Sequence, residues 1–296
     1  MTKILYIVLF TFFLLIKNIY SDSFSLYEEN DFLEKDTSGD VTDGFYTQGL
    51  QLRYENDANW GLKIGQQIYT PSNKDSDQPQ YGDRPYCGWA HAEYFKKLYQ
   101  ENYEQVFEIG LGVVGPASGG EWIQTEFHKL IHSSPPLGWK YQIYTEPTLQ
   151  FAYYRTYSLF LNKYIEFRPY AGANLGNYLI NAELGNIVRA GWNLPKNFDP
   201  VIRSVARGSF WNNIYAYGFV GGKAYGVARN MSLDGNTFRE SIVTVDKEYV
   251  VGDGLAGLCL GIYNFELTFS HVERTREFQS QTRDERFDSF QARWRF

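Results

Sequence analysis

After its N-terminal segment the chain has no apolar run long enough to cross a membrane as a helix. It has no excess of basic residues. Its 28 Lys and Arg stand against 34 Asp and Glu, a formal net charge of −6, which argues against nucleic acid as a partner. It also lacks a Gly-x-Ser-x-Gly element, so the serine elbow of many hydrolases is missing. No internal repeat is visible, and no shift in composition marks a second domain. Cysteine is scarce, two in 296 residues, too few for a disulfide framework.

What is plentiful is aromatic side chain and glycine: 24 Tyr, 22 Phe, 7 Trp and 27 Gly. The first residues carry an export signal. Lys3 supplies a positive start, Ile4 to Ile16 is apolar apart from Thr11, and Lys17-Asn18-Ile19-Tyr20-Ser21 ends on a small residue. This run is short for a membrane span, so residues 1–21 read as a cleaved signal peptide and 22–296 as one domain. An exported, aromatic-rich chain with alternating polarity predicts an all-β fold, a transmembrane antiparallel β-barrel of the Gram-negative outer membrane. Negative mean hydropathy is compatible, because every second residue of such a strand faces a polar interior.

The C-terminus is the most specific part of the pattern. Phe290, Ala292, Trp294 and Phe296 alternate with Ser289, Gln291, Arg293 and Arg295, as suits a wall between lipid and a wet lumen. Leu50, Leu52 and Tyr54 alternate likewise with Gly49, Gln51 and Arg53, and Phe107, Ile109, Leu111 and Val113 with Glu108, Gly110 and Gly112. Segments of this kind number about twelve: 23–31, 45–55, 59–69, 87–99, 104–114, 142–157, 163–174, 177–190, 213–227, 245–261, 264–278 and 285–296. With both termini periplasmic, the longer segments 32–44, 70–86, 115–141, 228–244 and 279–284 face outward, and the 191–212 link falls on the periplasmic side. This layout sets Cys87 at the outer end of one strand and Cys259 near the periplasmic end of another, too far apart for a disulfide.

One stretch breaks the two-residue period. Gly115-Pro116-Ala117-Ser118-Gly119-Gly120 opens a run in which Trp122, Phe127, Leu130 and Ile131 fall at roughly helical spacing, predicting a short helix in an extracellular loop. Gln124, His128 and His132 are each four apart and would share one helix face. Other chemistry-bearing groups gather at the same rim: Asn30-Asp31, Tyr46-Thr47 and Gly82-Asp83-Arg84-Pro85. Strand parity puts Asp31 and Thr47 on the polar side of adjacent strands and turns Asn30 the other way. Each alone has a bland reading, as loop carboxylate, β-former or solvated charge. Their convergence points to a site.

The run Glu29-Asn30-Asp31-Phe32 with Thr42-Asp43-Gly44-Phe45-Tyr46-Thr47-Gln48-Gly49 resembles the N-terminal signature of the lipid A 3′-O-deacylase family of outer-membrane proteins. The similarity continues through Ile68-Tyr69-Thr70-Pro71, Asp83-Arg84-Pro85-Tyr86, Gly115-Pro116 with Gln124 and His128, Gly138-Trp139 with Gln142 and Glu146-Pro147, Leu233-Asp234-Gly235-Asn236 and Arg274-Thr275-Arg276-Glu277-Phe278. The resemblance implies a twelve-stranded barrel and a Ca²⁺-dependent esterase acting on the 3′ acyloxyacyl chain of lipid A. It implies catalytic roles for His128, Gln124 and Asn30, metal contacts from Asp31 and Thr47, and lipopolysaccharide phosphate contacts from Lys74 and Arg84. His128 would serve as general base and the cation as oxyanion stabiliser. A monomer is expected.

One departure concerns the acidic residue that the family carries shortly after the histidine helix. Here that place falls near Ser134, so the imidazole must be oriented by some other group. His132 is extra, and with His128 it forms an H-x₃-H pair of the kind that can hold zinc. The competing readings are a non-catalytic barrel, either a small-solute channel or a surface-binding protein, and a soluble periplasmic β-protein.

Overall fold

A computed structural model of the chain describes residues 22–31, 45–195 and 214–296. The expected signal peptide 1–21, the outer segment 32–44 and most of the 191–212 link lie outside the described residues. The strands are β1 (Ser23–Asn30), β2 (Phe45–Glu55), β3 (Trp60–Thr70), β4 (Cys87–Tyr99), β5 (Tyr103–Val114), β6 (Glu146–Tyr157), β7 (Leu159–Asn162), β8 (Ile165–Gly176), β9 (Leu179–Trp192), β10 (Ile214–Asn230), β11 (Val250–Ile262), β12 (Phe265–Arg274) and β13 (Glu285–Arg295). Each pairs antiparallel with its neighbours. β13 pairs with β1, and β6 with β8, so the sheet closes on itself. The short β7 also pairs with β8 and continues the line of β6 past a break at Ser158, which makes the wall twelve-stranded.

Alternation does what the sequence reading expects of it. Leu50, Leu52, Leu62, Ile64, Leu111 and Phe151 are exposed on the outer wall, where lipid replaces water as their solvent. Near the termini end Phe24, Tyr54, Trp60, Tyr94, Trp294 and Phe296 stack in a girdle, with ring centroids 4.8–6.0 Å apart. The final phenylalanine is tied in by reciprocal backbone bonds with Asp22, at 2.9 and 3.1 Å.

The interior differs from the wet lumen expected. Inward charges meet in pairs: Arg53 with Glu55 at 3.2 Å, Lys63 with Glu108 at 2.5 Å and Glu93 at 3.2 Å, and Arg293 with Glu266 at 3.0 Å. Arg189 and Arg168 share Glu166. The cationic face of β13 is therefore paired with Glu266 on the neighbouring strand β12. An internal cavity of about 160 Å³ lies higher up, lined by Gln67, Trp89, Glu93, Glu183 and Lys223 among others. Cys87 and Cys259 are separate buried thiols.

The outer loops are bound to one another rather than splayed. Phe45, Leu233, Val245 and Phe278 form an apolar cluster. Asn236 accepts from the Tyr144 amide and donates to the Tyr144 carbonyl, both at 2.8 Å, while Glu146 accepts from the Thr237 amide at 2.9 Å. Three segments expected as strand belong to these loops instead, the third being 275–278 after β12. Residues 142–145 precede β6, and 245–249 precede β11, because their backbone groups bond to loop partners such as Leu233 and Glu277.

Arg84, expected to meet a lipid phosphate, is 1 % exposed. Its guanidinium donates to Glu277 at 2.5 Å and to Ser232 at 3.0 Å, and lies 4.2 Å from the centre of the Tyr69 ring. A side chain so enclosed holds the loops together from within, and a membrane phosphate cannot reach it. Burial works against the Glu277 carboxylate, but Arg84 and Arg274 outweigh it and hold its pKa below the ordinary value. The Arg84→Met change leaves that carboxylate buried without its nearest cation and should cost about 3–5 kcal/mol. A lower midpoint for the heat-dependent gel shift of the barrel would report the loss. Since the folded pKa of Glu277 is depressed, the pair's contribution is present above the ordinary carboxylate pKa. It fades as pH falls through the depressed value.

Candidate active site on the outer wall

The site begins with a bulge. β2 and β3 pair Tyr46 with Tyr69 and then Gln48 with Ile68, so Thr47 is the extra residue. Tyr46 stays inside, its ring 5.2 Å from Tyr69 and 5.1 Å from Phe287, and its hydroxyl bonds to Glu29. Thr47 is turned to the outer side, where its Oγ1 lies 2.7 Å from that of Thr70. Thr70 shares the parity of Ile64 and Ile68, the outward face of β3. Parity counting had put Thr47 on the lumen side with Asp31. The inserted residue reverses that.

Helix α1 (Gly120–Leu130) lies against this outer face. Its entry is set by Gly115 and Gly119 at φ 77° and 76°, a conformation glycine adopts without strain. Ser118 Oγ donates to the Gly115 carbonyl at 2.6 Å. Contact with the wall is backbone to backbone: a Cβ on Gly120 would come within 2.9 Å of Gly88 Cα, and one on Gly88 within 2.3 Å of Ser118 Oγ. Ile123 then packs on Ile68, Tyr86 and Trp139.

The helix is inverted relative to one resting on a protein core. Trp122 and Leu130 are 69 % and 74 % exposed, whereas Gln124 and His128 are 2 % and 3 % exposed. Its apolar side faces away from the barrel and its polar side faces the wall. The helix ends at Leu130, and His132 follows it at φ 60° on the surface, off the face of Gln124 and His128. The H-x₃-H pair is thereby broken.

His128 Nδ1 lies 2.6 Å from the carbonyl oxygen of Ser134. A carbonyl can only accept, so Nδ1 is the donor and Nε2 is the nitrogen able to take a proton. The orienting group missing from the sequence at Ser134 is thus supplied by that residue's backbone. Gln124 Oε1 accepts from Trp139 Nε1 at 2.9 Å, which leaves the buried Nε2 of Gln124 as a donor without a partner. Asn30 ends β1 on the outward side, paired across the sheet with Gln48 and with Asp288, and buried Asp31 follows it. The Lys74 carbonyl accepts from the Leu137 amide at 2.9 Å, which fixes that loop beside the segment following α1.

Among the described residues no three His, Cys, Asp or Glu gather as a metal cluster. Asp31, Asn30, Thr47 and Thr70 carry hard oxygen atoms, a kind of donor that fits Ca²⁺ better than zinc. Thr70, Trp139 and the Ser134 carbonyl were not singled out by sequence. Thr70 and Trp139 sit in short motifs whose pairing depends on the bulge and on α1, and a backbone carbonyl leaves no mark in sequence.

Fold and site together define an outer-membrane β-barrel with a surface helix whose buried polar residues face the outward wall. The family model described as outer membrane protein LpxR matches residues 5–296. The chain belongs to that family and hence to the outer membrane of a Gram-negative bacterium. LpxR from Salmonella typhimurium superposes with a TM-score of 0.82 at 22% identity, covering 93% of this chain and 100% of that one. The beta domain of the Bordetella autotransporter BrkA gives a TM-score of 0.43 at 11% identity over 94% of this chain and 99% of its own, too low to carry an argument. Comparison with curated proteins gave no match.

Proposed function

We propose that the protein is a calcium-dependent ester hydrolase that removes the 3′-linked acyloxyacyl chain of lipid A in the outer leaflet. The observation that carries this reading is the buried His128 imidazole, locked by Ser134 in the tautomer a general base requires. His128 Nε2 takes a proton from water as the water oxygen attacks the ester carbonyl, then returns it to the departing sugar oxygen. Acid and alcohol are the products. The Nε2 of Gln124 is a donor for the oxygen that gains charge, worth most in a site closed to water. Asn30 orients the reacting ester, and Lys74 meets a headgroup phosphate. Arg84, enclosed by Glu277 and Ser232, takes no part in binding. Calcium, when bound by Asp31 and Thr47, would supply Lewis-acid polarisation of the carbonyl.

The test is mass spectrometry of lipid A from cells expressing the protein. Loss of the 3′ acyl chains in calcium-replete cells is expected, and intact lipid A beside folded barrel would refute the reading. Calcium added to chelator-treated protein should also raise its thermal midpoint, an effect zinc should not reproduce.

A further inference from the structure

The outward wall near the rim carries a polar row on the β1–β2 side of α1. On β4, β5 and β6 the row Ala90, Val113 and Pro147, level with Leu50 and Glu28 and one row below Asn30, is apolar. On β12, β13, β1 and β2 the row is His271, Asp288, Asn30 and Gln48, each directly across from the next. That row runs on to Ile68 and Gly88 beneath α1, so it starts at the candidate site. One row lower, Glu28 sits between Phe290 and Leu50, which are exposed on the lipid-facing wall.

These groups are held in place. Gln48 Nε2 donates to Glu28 at 3.1 Å, and His271 Nδ1 lies 2.9 Å from Asp288. Arg286, on the next turn of the wall, is engaged by Glu273 at 3.2 Å. A carboxylate set among Phe290, Leu50 and Leu26 costs stability on a lipid-facing wall unless something polar meets it. The strip is rich in acceptors, the carboxyl groups of Asp288 and Glu28 and the amide oxygens of Asn30 and Gln48, and its arginine is engaged by Glu273. It repels phosphate and suits O–H and N–H donors.

We propose that this strip is a subsite for the sugar hydroxyls and amide N–H groups of the lipid headgroup, an inference resting on the function proposed above. A headgroup whose ester lies beside Thr47 and His128 extends over β1 and β13 toward β12, roughly 10–15 Å at ~4.8 Å per strand. It does not extend toward β5.

Asp288→Ala should raise KM for detergent-dispersed lipid A about tenfold, the loss of one hydrogen bond to a charged group, with kcat unchanged. Asp288→Asn keeps an oxygen acceptor and should recover most of it. Heat-dependent gel migration checks that each barrel is folded. A fall in kcat without a rise in KM, or no change in either, would overturn the proposal. Independently, a photoreactive residue in place of His271 should capture lipid A in the His128→Ala background, and one in place of Leu149 should not. Equal capture at both positions, or none at 271, also overturns it. If wild-type protein hydrolyses nothing, the enzymatic reading fails and the capture experiment alone decides the subsite.

Discussion

His128→Ala is expected to lower release of the 3′ acyl chain about 10²–10⁴-fold, the range for loss of a general base, while the barrel stays folded. The reason is local. The imidazole is buried beneath α1 with Nδ1 committed to the Ser134 carbonyl, so removing the ring leaves nothing else at that place to take the proton. Because the acceptor is backbone, Ser134→Ala should leave activity near wild type. The pair of variants separates a backbone orienting role from a side-chain one. Kinetics on purified lipid A in detergent would measure both, and an active His128→Ala protein would remove histidine from the mechanism.

Gly88→Val is expected to be nearly as damaging, although Gly88 touches no reacting group. Its added Cβ would stand 2.3 Å from Ser118 Oγ, which is tied to the Gly115 carbonyl, and 3.0 Å from the Gly120 backbone, with little room to yield. The start of α1 must lift, and Gln124 and His128 move with it. A displacement near 1 Å costs on the order of 100-fold in rate. Barrel stability should change little, because the clash is on the outer wall. Unchanged turnover in folded Gly88→Val protein would show that α1 need not lie flat for catalysis.

Much of the architecture could be read from alternation, since Leu50, Leu52, Leu62, Ile64 and the β13 pattern each declare which side meets lipid. The change of period at Gly115–Gly120 likewise located α1. Three things stayed hidden, each for a physical reason. An inserted residue in β2 shifts every parity inference beyond it, so Thr47 was assigned to the wrong face. The Arg84 motif reads as a phosphate contact because proximity to Glu277, 193 positions away, leaves no local trace. A helix with apolar Trp122 and Leu130 would ordinarily bury them; here they face away from the barrel. By contrast Glu146 and Asn236, parts of the family signature, fasten loops and touch no candidate site group among the described residues.

The outward-turned Trp122, Phe127 and Leu130 bear on how reactants arrive. If hydrocarbon laps against that helix, encounters occur by diffusion within the leaflet, in two dimensions. Turnover should then follow the mole fraction of lipid A in a mixed micelle at fixed bulk amount. A rate that ignores such dilution would mean that the site is filled from water.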